Sequence, residues 1–285
     1  MQNRRHNVRY ASSRREAGHG RVWARQARYR PHRGRAPSRA RRLRKPRPAR
    51  RPAEPIPCPV LPSHRGCVAV LVEYSRLMIF CEYGIVLNKR PLRENDRIVT
   101  VFTENGGKFE VNFKSVRLAK GKLRALSEPL VWGDFRFYLK KGSNFPVCTG
   151  GSSLCAFGGI RADLESLCLG LHYCEVINRL TAAQQPAPEK YRLLLGALRD
   201  LDVSGPAPWL RQAFTLRVLN LAGFGFRETA AGPQAGLWEA LHDGSWADVR
   251  ALKEDRATEV FVDGLFSRFF AETLGADLRT LPFVR

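Results

Sequence analysis

Between Gly84 and Leu130 apolar runs alternate with short polar and basic breaks, in the stretch GIVLNKRPLRENDRIVTVFTENGGKFEVNFKSVRLAKGKLRALSEPL. Ile85, Val86 and Leu87 begin one strand, and Ile98, Val99, Val101 and Phe102 form a second. Glu104-Asn105-Gly106-Gly107 predicts a tight turn, because paired glycines accept the positive φ that a hairpin needs. After Lys108, Phe109, Val111 and Phe113 fall at period two and share one face, while Glu110, Asn112 and Lys114 share the other. Trp132, Phe135, Phe137 and Tyr138 predict a further strand. The pattern amounts to roughly five strands in about seventy to eighty residues, and a five-stranded Greek-key barrel, the OB-fold, closes such a unit without exposed edges.

From Ile160 the period lengthens to three and four. Leu164, Leu167, Cys168, Leu171, Cys174 and Ile177 predict one face of a helix. Gln184-Gln185-Pro186-Ala187-Pro188 reads as a loop, since proline removes backbone donors and disfavours helix before it. Tyr191, Leu194, Leu195, Leu198 and Leu201 line a second helix. Ser204-Gly205-Pro206 breaks it, and Pro206 and Pro208 suit the start of a third, striped by Leu210, Ala213, Phe214, Val218 and Leu221. Phe224-Gly225-Phe226 ends that helix, and a loop is expected over 227–236. Ser245 with Asp248 predicts a capping box before a helix at Trp246. A last helix near 257–275 carries Val260, Phe261, Leu265, Phe266, Phe269 and Phe270, a stripe expected in the core, with a partner groove as the alternative. Arg192 and Arg199 are expected on solvated helix faces. The fold class is therefore α+β, with a barrel over 78–157 and an all-α helical domain over 158–285.

Charge separates a third segment from these two. The chain carries 48 Lys and Arg against 26 Asp and Glu, a net charge of +22, but residues 1–77 hold 21 of the bases and three of the acids. They account for +18, and the remaining 27 bases and 23 acids leave only +4. Residues 1–66 contain no Phe and one Trp, and RRLRKPRPARRP at 41–52 is their densest basic run. Such a segment buries too little apolar surface to offset its ordering entropy, so a disordered extension is expected. It reads as a nucleic-acid arm or as an Arg-rich leader, although its prolines oppose an amphipathic helix. Its cations are Arg apart from Lys45, and Met1 and Met78 are the two methionines. The reading preferred here is translation of GC-rich DNA upstream of a natural start at Met78.

No stretch approaches the roughly 20 apolar residues of a membrane span; Glu73, Arg76 and Glu82 interrupt the most apolar region, Cys67–Leu87. With no N-terminal apolar signal, a soluble, cytoplasmic protein is expected. The seven cysteines, Cys58, Cys67, Cys81, Cys148, Cys155, Cys168 and Cys174, are odd in number and lack C-x-x-C spacing, which argues against a disulfide framework and a zinc site. Cys168 and Cys174 read as small core residues. There is no G-x-x-x-x-G-K-[ST] phosphate loop and no G-x-S-x-G elbow. Gly142-Ser143 and Gly150–Ser153 read as flexible rather than phosphate-cradling. His172 and Cys174, two apart, would point to different sides of a helix, and Asp200 with Asp202 sits at a helix end beside a turn. Nothing in the chain asks for an enzyme or a cofactor.

The candidate chemistry lies in the cationic run after the second hairpin, Lys114, Arg117, Lys120, Lys122 and Arg124, with no acid before Glu128. OB barrels bind single strands through a basic groove with aromatic platforms, and the alternative is a solvated loop on an ordinary barrel. The same stretch resembles the N-terminal barrel of the bacterial RecO family of recombination mediators. There a GIVL strand leads through a polar loop to D-R-I-V-T-x-F-T-x-x-x-G, a basic segment and L-x-P. ADLESLCLGLHYCEVINRLT, PEKYRLLLGALRDL and FTLRVLNLAGF are similar to its helical domain in order and spacing, so the resemblance covers about Met78 to Arg285. It implies a non-enzymatic, nucleoid-associated repair factor that binds single- and double-stranded DNA and anneals complementary strands. It also implies contact with the C-terminal tail of the single-strand-binding protein SSB and, with RecR, loading of RecA. It makes Lys114, Arg117, Lys120, Lys122 and Arg124 the DNA-contact candidates, with Lys89, Arg90 and Arg93 as weaker ones. Many relatives carry a four-cysteine zinc module after the third helix. Here GFRETAAGPQAGLWEALHDG follows Phe224 without a cysteine, so no zinc is expected. An RNA-binding or ribosome-associated barrel protein and a protein-interaction adaptor remain the alternatives.

Overall fold

The structure, a computed structural model, describes residues 77–118, 121–143, 145–225, 235–275 and 278–284. The expectations for residues 1–76, for Lys120 and for most of the loop at 227–236 lie outside the described residues.

Five strands form a closed barrel in the order β1-β2-β3-β5-β4, with β4 returning to β1. They are β1 (Leu77–Leu92), β2 (Asp96–Thr103), β3 (Gly107–Phe113), β4 (Trp132–Lys140) and β5 (Val147–Cys155). The long β1 serves both neighbours. Its first half pairs with β4, from Leu77 opposite Lys140 to Ile85 opposite Trp132, and its second half pairs with β2 across an irregularity between Val86 and Asn88. The alternation expected on β3 holds: Phe109, Val111 and Phe113 point inward with Val86, Val99, Val101, Phe135 and Phe137 to fill the barrel.

One strand departs from the sequence reading. Gly150–Ser153, expected to be flexible, is the middle of β5, paired with β4 at Gly150 opposite Arg136 and Gly151 opposite Phe135. Its glycines hide the strand pattern, and the backbone requires them. Gly151 has φ +152°, and a Cβ there would lie 2.3 Å from the Asp134 carbonyl and 2.8 Å from Leu126 Cδ2. Gly133 on β4, paired with Ser153, also leaves room for Leu126, which enters the barrel from the segment joining β3 to β4.

The helices are α1 (Gly158–Ala162), α2 (Leu164–Leu180), α3 (Pro188–Ser204), α4 (Leu210–Leu221), α5 (Ala235–Asp243), α6 (Trp246–Ala251) and α7 (Arg256–Leu274). The α3 stripe is buried as expected, and Ser245 and Asp248 form the capping box that starts α6. The α2 stripe is rotated. Leu164 is 75% exposed, whereas Leu169, Tyr173, Cys174, Val176, Ile177 and Leu180 are buried. The reason is position: α2 packs against α1, α3, α4 and β1, so a single stripe does not describe it. Leu221 at the end of α4 and Val260 and Phe261 on α7 are likewise exposed, while Phe266 and Phe270 enter the core.

Barrel and helices share one core. Ile85, Leu87, Phe102 and Trp132 on the outer side of the barrel belong to the same buried cluster as the helical residues. Trp132 Nε1 donates to the Tyr191 hydroxyl at 3.0 Å, and Phe102 meets Tyr191 edge-on at 5.8 Å. Arg199 is not a solvated residue, because its guanidinium lies 4.9 Å over the Trp132 ring. Arg192 reaches the barrel too, donating to Glu104 at 3.2 Å.

Candidate nucleic-acid interface

The segment between β3 and β4 caps one end of the barrel. Val116 and Leu126 are buried in the barrel core and Leu123 packs against it, so these three positions anchor the segment, while Leu118 is exposed. The cations between them face outward. Lys114, Arg117, Lys122 and Arg124 are exposed, and among the described residues none of the four is in an ion pair. The segment is also tied to the β1–β2 turn. Ser115 N–H donates to Asp96 Oδ1 at 2.8 Å and Arg117 N–H to the Asn95 carbonyl at 3.1 Å. Exposed Arg93 sits in that turn with φ 55°, so it joins the four segment cations at the same end of the barrel.

Lys89 and Arg90 are differently placed. Lys89 is ion-paired to Glu128, which also accepts from Arg97 at 2.8 Å. Burial works to raise the Glu128 carboxyl, but the hydrogen bonds from Lys89 and Arg97 outweigh it and hold the group below the ordinary carboxylate value. Arg90 donates to Glu110 at 2.9 Å. Both cations line an open cavity of about 300 Å³ on the outer face of β1, β2 and β3, together with Asn88, Thr100, Lys108 and Asn178. Lys108 is engaged as well, donating to the Asn178 carbonyl at 2.5 Å, and burial lowers its ammonium from the ordinary value. The structure thus divides the candidates into an unpaired group at the barrel end and a neutralised pair on the sheet face.

Sequence reasoning passed over a further row of cations. Arg136 and Lys140 on β4, and Lys141 after it, are exposed and outside any ion pair among the described residues. Arg136 and Lys140 alternate with Phe135 and Phe137, two of the positions that mark β4, and Lys141 follows the strand. The signal was present: Arg136, Tyr138 and Lys140 stand at period two, opposite in phase to Phe135 and Phe137. Phe145, 40% exposed, follows in the β4–β5 loop, beside the end of β3, where Asn112 N–H donates to the Pro146 carbonyl at 2.9 Å.

Four titratable groups of the helices, His172, Cys174, Asp200 and Asp202, are packed or paired within the fold. His172 is buried between Thr280, at 2.9 Å from Nδ1, and Thr215. Burial and the charge of Arg211 push its imidazole down to about 3, and burial pushes the Cys174 thiol up to about 12. Asp200 binds Arg250 at 2.6 Å, and Asp202 accepts from Ile160 N–H at 3.1 Å. Among the described residues no group of three His, Cys, Asp or Glu is placed to hold a metal, and no helix is long and apolar enough to cross a membrane.

A closed five-stranded barrel in this order, followed by a helical region, defines a protein of the OB-fold class. The chain matches the family described as "Recombination protein O N terminal" over residues 78–155 and "Recombination protein O C terminal" over residues 161–231. It is 30% identical over 248 residues to DNA repair protein RecO of Streptomyces griseus subsp. griseus, an alignment covering 73% of this chain and 99% of that relative. It is 35% identical over 155 residues to DNA repair protein RecO of Streptomyces coelicolor, covering 52% of this chain and 62% of the relative. With DNA repair protein RecO of Listeria monocytogenes serotype 4a the figure is 29% over 143 residues, half of this chain and 55% of the relative. The chain belongs to the recombination protein O family, RecO, which places it in DNA repair and recombination.

Proposed function

We propose that the chain is a non-enzymatic recombination mediator. It binds single- and double-stranded DNA on the barrel cap, anneals complementary strands and, with RecR and SSB, helps load RecA onto SSB-coated single strands. The observation that carries this reading is the cap itself. Lys114, Arg117, Lys122 and Arg124 project from an apolar anchor with no acid paired to them, and Arg93 joins them from the neighbouring turn. Lys120 belongs to the same segment by sequence. Lys89 and Arg90 are secondary contacts, available to phosphate only by exchange with Glu128 and Glu110. Unpaired cations release counterions from a phosphate backbone at any sequence, and screening two strands from each other is what annealing requires. No covalent step or nucleotide enters this account.

The test is equilibrium binding of single-stranded DNA, duplex DNA and RNA of one sequence, with a peptide of the SSB C-terminal tail as a separate ligand. Salt-sensitive binding to both DNA forms is expected. A preference for RNA would move the assignment to an RNA-binding barrel. Binding of the tail peptide alone, with no nucleic acid held at low salt, would make the chain an adaptor.

A further inference from the structure

Annealing requires a second strand as well as a first, and the barrel offers another surface. Along β1 the side chains alternate: Phe80 packs against the barrel core, Ile79 is 55% exposed, and Ile85 faces outward into the helical core. Ile79, Cys81, Tyr83 and Ile85 therefore share the outer face. Their partners on β4 are Tyr138, Arg136, Asp134 and Trp132. The helices cover this face at Ile85 and Trp132. The rest is a strip of half-buried Cys81, Tyr83, Asp134 and Tyr138 with exposed Ile79, Arg136 and Lys140.

Three features give the strip its chemistry. Side chains two apart on a strand are about 6.7 Å apart, so Arg136, Tyr138 and Lys140 alternate cation, ring and cation along β4. Tyr83 lies diagonally across from Arg136, within reach of a long side chain. Beside Arg136 the strip is flat, since β5 presents Gly150 there and a Cβ at Gly150 would meet nothing within 4 Å. Asp134 is the carboxylate of this row, at the end next to the helices, and Arg136 and Lys140 are in no ion pair among the described residues. Rings for base stacking interleaved with cations for phosphate are the features that hold a single strand without regard to sequence. The strip lies on a different part of the ring of strands from the cap: β4 is two steps from both β2 and β3, and Leu126 of the cap meets β4 at Gly133. At its other end Tyr138 pairs with Val147, which also pairs with Asn112, two residues before Lys114.

We infer that the outer face of β1 and β4, carrying Tyr83, Arg136, Tyr138 and Lys140, is a second single-stranded DNA site that holds the strand to be annealed. The inference rests on the mediator reading above, and its test separates the two. The full chain is photocrosslinked at low salt to single-stranded DNA carrying 5-bromodeoxyuridine, and the adducts are mapped by peptide mass spectrometry. Adducts at Tyr83 or Tyr138, besides those in the cap segment, are expected. Adducts in the cap segment with none at either tyrosine would overturn the second site and leave the mediator reading standing. No adduct anywhere in 77–285 would overturn both.

A kinetic measurement provides an independent check. At 0.1 M salt, loss of two phosphate contacts weakens a single-strand site about 25-fold. The R136A/K140A variant should therefore anneal at least about 10-fold more slowly at limiting second strand, while its affinity for one labelled strand changes less than about 3-fold. Tyr138→Phe should anneal like the parent and Tyr138→Ala should not, since the ring, not the hydroxyl, is the contact. Parental annealing by R136A/K140A would refute the site, with a thermal melt confirming that both proteins are folded.

Discussion

Removal of Arg117, Lys122 and Arg124 together is the perturbation whose size follows most directly from the cap. All three are exposed, in no ion pair among the described residues, and set between the anchors Val116, Leu123 and Leu126 rather than in the core. The R117A/K122A/R124A variant should fold as the parent does. Each lost phosphate contact to a single strand lowers the slope of log K against log salt by about 0.7, so three should make it shallower by about 2.1. At 0.1 M salt that amounts to roughly a 100-fold loss of affinity, about 3 kcal/mol, and the two proteins should converge as salt approaches 1 M. The assay is fluorescence anisotropy of a labelled oligonucleotide across a salt series. The basic residues 1–77 contribute equally to both proteins and cancel in the difference. Arg90→Ala provides the contrast: Arg90 is held by Glu110, so its loss should change the slope by less than half of one contact. A triple variant with the parental slope would refute the cap as the DNA surface, and a slope change of similar size from Arg90→Ala alone would refute the division into paired and unpaired cations.

Three further outcomes follow from the packing and the charges. Trp132→Phe removes the donor to the Tyr191 hydroxyl and should cost about 1–2 kcal/mol in urea unfolding, and Tyr191→Phe in the same background should recover part of that. Gly151→Ala sets a Cβ against the Asp134 carbonyl and Leu126, and should lower stability by on the order of 2–4 kcal/mol, read from the thermal midpoint. The native carboxyl of Glu128 lies below its unfolded value, so its contribution is present above the ordinary carboxylate range and is lost as pH falls through the native value. Glu128→Gln should therefore flatten the acid limb of the stability curve, and it should also free Lys89 and Arg97 to strengthen DNA binding, measurable as a steeper salt slope.

The parts of this molecule that were legible in the sequence are those where one element faces one environment. β3 lies between barrel core and outer face, and its strict alternation at Phe109, Val111 and Phe113 gave the strand and its orientation. α3 buries one side, and its stripe was read in phase. The capping box of Ser245 and Asp248 is local chemistry and needs no tertiary partner. Where an element meets two environments the pattern fails. α2 is packed on several sides, and even His172 is buried there because Thr280 and Thr215 satisfy its ring, so the stripe gave the helix but not its orientation. β5 carries VCTGGSSLC, with little alternation or strand propensity, and takes its form from β4 and from Leu126. For the site, the cationic run was plain in the sequence, but its division was not. Lys89 and Glu128 are 39 residues apart, and only the fold shows that one neutralises the other. Arg136 and Lys140 were masked by the aromatic positions that identified their own strand.

The central claim is that the barrel and helices together act as a strand-annealing mediator. The most direct measurement is the annealing rate of complementary, SSB-coated DNA strands across a salt series, with the full chain and with residues 78–285 alone. The account predicts acceleration by both, fading as salt rises and as the cap cations are removed. No acceleration by either, in a preparation that unfolds cooperatively, would contradict it.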